Sequence, residues 1–170
     1  MKRRVAAFCA ALLSTAVLCG SYPPGSDLAG EYRESGVTVT LLLRAGTLTA
    51  TYRPDSAGFH LYSADLPVNG MDGLGRPTVL TAGHGLAAAG PAVADREPIT
   101  LHEVELGVDL PVYPDGPVVL TLPVTVSAEL VEAIIGYAAC SRTQCLQPVT
   151  DKVVTLHPSA VENGRRDPTS

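Results

Sequence analysis

The stretch Val37-Thr-Val-Thr-Leu-Leu-Leu-Arg-Ala-Gly-Thr-Leu-Thr-Ala-Thr-Tyr52 carries β-branched and apolar residues at a period of two on both sides of Arg44-Ala45-Gly46. That period sends successive side chains to opposite faces, which describes a strand and not a helix. Two such runs around a compact turn make a hairpin.

The same pattern recurs outward from it. Strands are expected at Val37 to Leu43, Thr47 to Tyr52, Phe59 to Tyr62, Thr78 to Thr81, Thr100 to Leu106, Val118 to Val126, Val131 to Ala139 and Lys152 to Leu156. Pro54-Asp55-Ser56-Ala57-Gly58 and Tyr113-Pro114-Asp115-Gly116 supply the chemistry of longer turns. Glycine-rich Val68 to Gly75 reads as a loop, and Ala/Gly-rich Gly83 to Pro98 as a loop or a short helical crossover. Seven or eight strands at this spacing predict an all-β domain, an immunoglobulin-like β-sandwich without the Cys…Trp…Cys core of a true immunoglobulin domain. With no Trp and two Phe, the core is expected to be built from Val, Leu, Ile and Ala.

Lys2, Arg3 and Arg4 followed by the apolar run Val5 to Leu18 read as the basic and hydrophobic regions of a signal peptide, residues 1–19, cut somewhere between 16 and 20. The apolar run is shorter than the ~20 residues a spanning helix needs. Cys9 is then lost, and Cys19 offers membrane attachment only if it is lipidated. Residues 20–35 read as a flexible lead-in, 36–158 as the domain and 159–170 as a flexible tail. The polar, Pro/Gly-containing ends Ser21 to Gly30 and Ser159 to Ser170 are expected to be mobile. Of 12 Lys and Arg, three lie in the leader, so the remainder sets 9 cations against 17 acids, a balance of −8. Nucleic acid and anionic lipid are poor partners for such a surface. The expected location is extracytoplasmic: periplasmic, cell-surface or secreted.

One cysteine pair lies outside the leader, Cys140-Ser-Arg-Thr-Gln-Cys145. If the strands on either side flank a turn, the two Cα atoms can reach the ~4.4–6.8 Å separation of a disulfide. A six-residue loop gains only about 2 kcal/mol from closure, so a bridge placed for stability would do more between distant strands. Spacing alone leaves open whether the pair is an inert staple or a redox pair. Arg142 is either a thiolate-favouring cation or a solvated turn residue.

Gly136-Tyr137-Ala138-Ala139-Cys140, Cys145-Leu146-Gln147-Pro148-Val149 and Lys152-Val153-Val154-Thr155-Leu156 together resemble the end of the N-terminal periplasmic domain of the thiol:disulfide interchange protein DsbD family. Leu120 to Val126, Leu48 to Tyr52 and Gly58 to Tyr62 are similar to earlier strands of that family, so the resemblance spans about residues 36–157. It implies a sandwich whose Cys140 and Cys145 are catalytic: Cys145 forms the mixed disulfide and Cys140 resolves it. The implied partners are a thioredoxin-like or membrane thiol reductase donor and oxidised exported client proteins. No cofactor and no metal are required, because electrons move as thiol pairs. The family covers its cysteines with a cap loop, which chain order places near His102 to Leu106 or Val112-Tyr113. Glu103 and Glu105 themselves read as solvated positions of an alternating strand.

Three other readings compete. Thr78 to Gly85 superficially resembles the segment around a protease's catalytic histidine, yet no Gly-Asp-Ser-Gly follows and His84 reads as an exposed loop residue. A metal site would recruit Cys140, Cys145 and two of His60, His84, His102 and His157, none of which shows paired ligand spacing. His60, between Phe59 and Leu61, reads as a half-buried sheet residue. A non-enzymatic binding or scaffold module would keep the bridge simply to fix its hairpin.

Overall fold

The computed structural model describes residues 27–103 and 107–159. Its strands are β1 (Leu28–Glu34), β2 (Val37–Arg44), β3 (Thr47–Pro54), β4 (His60–Leu61), β5 (Val79–Ala82), β6 (Leu86–Ala88), β7 (Val93–Ala94), β8 (Ile99–Glu103), β9 (Val108–Val112), β10 (Val118–Val126), β11 (Val131–Tyr137), β12 (Ala139–Cys140) and β13 (Val149–Pro158). The described residues hold no helix. The fold is an all-β, immunoglobulin-like sandwich that closes far enough to approach a barrel.

Strands follow one antiparallel path, β5-β11-β13-β1-β2-β3-β10-β6, with β7 also on β10. Register explains why this path encloses a core. Leu41 faces Ala50, Val39 faces Tyr52 and Leu43 faces Leu48, while Leu120 and Val118 line up with Ala50 and Tyr52 from the other side. All are buried, so the period of two becomes continuous inward rows. The path turns back on itself because its two end strands, β5 and β6, are consecutive in the chain, and the short link between them is held to β11: Gly83 N donates to Glu132 O, and Glu132 N to His84 O.

Two pairs of strands lie off the path, β12 with β4 and β8 with β9. The β8–β9 hairpin is tied down by Ser63 N donating to Pro111 O at 2.9 Å and Tyr113 N to Leu61 O at 2.8 Å.

Several expectations need correction. Leu28–Glu34, read as part of a flexible lead-in, is a strand between β13 and β2. Its Gly, Glu and Arg content hides a backbone ladder. Gly30 lets the neighbouring strand close in, since a Cβ there would lie 2.9 Å from Leu156 Cδ2 and 3.2 Å from Thr155 O. Gly83 to Pro98 contains no helix but two short strands, β6 and β7, hydrogen-bonded to β10. Strand β9 passed unnoticed because Asp109 and Pro111 interrupt its apolar pattern. The expected strand over Phe59 to Tyr62 shortens to His60–Leu61, and Val104 to Leu106 lie outside the described residues.

The core is also not purely aliphatic. Tyr52, Tyr113 and Tyr137 are its largest fully buried side chains. Buried phenols need partners. Tyr137 donates to Glu34 O at 2.8 Å, Tyr52 donates to Val79 O, and the Tyr113 oxygen accepts from Ala64 N at 3.0 Å. The Tyr52 and Tyr137 rings meet edge to face at 5.9 Å.

Candidate functional site at the cysteine turn

At the end of β11 the ladder to β13 slips between Ile135 and Tyr137, and the chain leaves the main sheet as β12. Ala139 pairs with Leu61 and Cys140 with His60, so the first cysteine is held by β4 as well as by its own hairpin. Residues Ser141 to Gln144 then reverse the chain, and Cys145 returns opposite Cys140. The turn is built around one hydroxyl. Ser141 Oγ accepts from Thr143 N at 3.3 Å and Gln144 N at 3.2 Å, while Ser141 N donates to Gln144 O at 2.7 Å. A serine hydroxyl used this way stands in for a backbone carbonyl and fixes the reversal locally. Past the turn, Leu146 N donates to Ala139 O at 2.9 Å and its side chain packs towards Gly36.

Cys140 and Cys145 form a disulfide with their Cα atoms 4.1 Å apart, a little closer than the separation expected from spacing. The two sulfur-bearing residues differ sharply in setting. Cys140 is 5% exposed, packed with Tyr62, Leu66, Leu110, Val112 and Ala138, with Leu101 and Val108 of the β8–β9 hairpin against that cluster. Cys145 is exposed. A thiolate arriving from solvent therefore meets Cys145 first, and Cys140 is the sulfur left behind.

Tyr62 O–H donates to Cys140 Sγ at 3.2 Å. Burial, helped by the negative charge of Glu103, pushes the phenol's pKa up and keeps it a donor. His60 shares this face of β4, its ring edge to face with Tyr62 at 5.8 Å. Its Nε2 is buried and has no hydrogen-bond partner among the described residues. Burial lowers the His60 pKa against the upward pull of Asp115 and Glu103, which favours the neutral ring. Beside the turn runs a groove of about 870 Å³, bounded by Phe59 and His60, by Leu101 and Glu103, by Tyr113 and by the Arg142 to Gln144 turn.

The structure brings the two expected cysteines together and leaves the other candidates scattered. Arg142 is exposed on the turn. Glu103 is half-buried and borders the groove, a correction to its reading as a solvated position, because β8 belongs to a hairpin folded over Cys140. Glu105, Cys9 and Cys19 lie outside the described residues. His60 is half-buried in β4, as its alternation predicts, and His84 is exposed in the turn after β5. His102 pairs with Asp109 at 2.6 Å on exposed positions of the hairpin, and His157 is exposed on β13. Among the described residues, no three His, Cys, Asp or Glu side chains converge as metal ligands would. Sequence reading missed Tyr62 and the acceptor of His60; the alternation Phe59-His60-Leu61-Tyr62 was the available signal, since it sets both on one face.

No protein-family model matches the chain, and no curated protein matches its sequence. Among solved structures it is similar to the Neisseria meningitidis DsbD N-terminal domain in its reduced form. The identity is 13%, the TM-score 0.43, and the match covers 78% of this chain and 83% of that one. A likeness at that level leaves the family open, and the site stands on its own geometry.

Proposed function

We propose that the chain is an exported thiol:disulfide exchange domain. It relays electrons through Cys140 and Cys145 from a thioredoxin-like or membrane thiol reductase donor to oxidised extracytoplasmic proteins. The observation that carries the reading is the contrast between exposed Cys145 and buried Cys140 within one disulfide.

In the loading half, a donor thiolate attacks Cys145 Sγ. The Cys140–Cys145 bond breaks, Cys140 leaves as a thiolate and gains a proton, and the donor is joined to Cys145. The donor's second thiolate then attacks its own sulfur in that mixed disulfide and releases Cys145 as a thiolate. Two electrons have moved, leaving an oxidised donor and a reduced pair. In the delivery half, Cys145 thiolate attacks a client disulfide and expels one client thiolate. Cys140 then attacks Cys145 Sγ, which expels the second client sulfur and restores the bridge. The Tyr62 hydroxyl, which donates to Cys140 Sγ in the disulfide, is placed to stabilise that sulfur when it leaves as a thiolate.

The test is to incubate the oxidised, folded protein with a reduced thioredoxin-like donor and count free thiols by mass after alkylation. Exchange predicts two new thiols, on Cys140 and Cys145. Resistance to the donor, with a reduction potential below roughly −300 mV, identifies an inert staple and favours the scaffold reading.

A further inference from the structure

His60 stands directly across the β4–β12 ladder from Cys140. Opposed residues of an antiparallel pair have Cβ atoms about 4.5–5.5 Å apart on one face, so imidazole and sulfur occupy the same side. The Tyr62 ring lies against the imidazole, and its hydroxyl donates to Cys140 Sγ. On that face His60 Nε2 is buried with no partner among the described residues. A disulfide sulfur has no proton to offer it. A reduced Cys140 adds one S–H donor on the ladder face where this ring nitrogen is unpaired.

We propose that His60 is the base for Cys140: it takes the thiol proton as Cys140 attacks the mixed disulfide, and returns it when the bridge is opened. The inference deepens the exchange reading and rests on it. In the closing step the Cys140 S–H bond breaks, its proton goes to Nε2, the Cys140–Cys145 bond forms, and the departing sulfur carries away the electron pair of the mixed disulfide. Buried apolar surroundings otherwise disfavour a Cys140 thiolate, so a neutral base opposite it has work to do. The charged or titratable groups facing His60 are Glu103 from β8, Asp115 after β9 and Tyr62 beside it, with Arg142 and His102 also bordering the groove. The two carboxylates compensate the imidazolium once it forms.

The test uses the protein reduced with dithiothreitol, freed of reductant and mixed rapidly with dithiobis-nitrobenzoate. Attack by Cys145 releases one coloured thiolate, and attack by Cys140 on the resulting adduct releases a second. For His60→Phe the second release is expected to slow about tenfold near neutral pH, with its pH midpoint rising to the ordinary thiol value of about 8.5 or beyond it, while the first release is unchanged. His60→Gln, which stays polar but cannot take the proton, is expected to behave the same way. Equal second-phase rates and midpoints in wild type and a folded variant overturn the inference, and so does a wild-type protein that releases only one equivalent. Release of two equivalents by a protein that no thioredoxin-like donor reduces overturns the exchange reading alone.

Discussion

Tyr62 and Cys140, 78 residues apart in sequence, are joined by a hydrogen bond of 3.2 Å from the phenol to Sγ. A thiolate or thiol accepts that bond better than a disulfide sulfur does, so it favours the reduced pair. Tyr62→Phe is expected to make the reduction potential about 20 mV more negative, equivalent to about 1 kcal/mol of a two-electron couple. Equilibration against a dithiothreitol redox buffer measures it. An unchanged or raised potential contradicts this role.

Ser141 acts in the opposite direction. Its hydroxyl gathers the amides of Thr143 and Gln144, two bonds that do not depend on the disulfide and that hold the turn between the cysteines. Ser141→Ala loosens the turn in the reduced protein and lowers the effective concentration of one thiol at the other. The potential is expected to rise by about 20 mV, for the loss of about 1 kcal/mol of local order. The opposite signs at Tyr62 and Ser141 separate sulfur chemistry from turn rigidity.

Folding should depend on pH through His60. Burial holds its folded-state pKa below the ordinary value, so the unfolded chain binds the proton more readily. The stability it leaves intact above about pH 6.5 is lost as pH falls through that value, and the loss levels off below the folded-state pKa. Urea unfolding between about pH 7.5 and 5 should show a shallower decline in His60→Phe than in wild type. Parallel declines contradict the assignment.

Tyr137 links β11 to the β1–β2 corner through Glu34 O at 2.8 Å, and desolvation pushes its phenol pKa up to about 12. Tyr137→Phe keeps the ring against Tyr52 but leaves that carbonyl short of a donor. A loss of about 1 kcal/mol is expected in urea unfolding. The reduction potential should stay unchanged, which makes this variant a control for the Tyr62 and Ser141 variants.

The legible part of the fold was its alternation. Val37 to Tyr52, Val118 to Val126 and Val131 to Tyr137 show in sequence the rows that they bury. Strands held by backbone pairing rather than by side chains were not legible: Leu28–Glu34 is polar on paper and central in the sheet. The cysteine pair could be found from spacing and flanking strands. The difference in burial between its two members could not be read from the residues, because Cys140 is buried by Tyr62, Leu110 and Val112, which come from distant segments; only the family resemblance assigned the two different roles. The residues of Ile99 to Glu103 and Val108 to Val112 do not by themselves announce that the hairpin they form packs over a sulfur; only the family resemblance, with a cap loop expected near His102 to Leu106 or Val112-Tyr113, pointed to this region.

The most direct test of the account mixes each of two reduced single-cysteine variants with the same thioredoxin-like protein, its second cysteine replaced by serine and its remaining one activated as a nitrobenzoate disulfide so that no thiol within it can undo the adduct, and identifies adducts by intact mass under non-reducing conditions. Cys140→Ala, which leaves the exposed sulfur and removes the one that resolves it, is expected to accumulate a one-to-one mixed disulfide through Cys145. Cys145→Ala, which leaves only the buried sulfur, is expected to accumulate none. Equal adducts from both variants, or adducts from neither, would contradict the division of labour between the two cysteines.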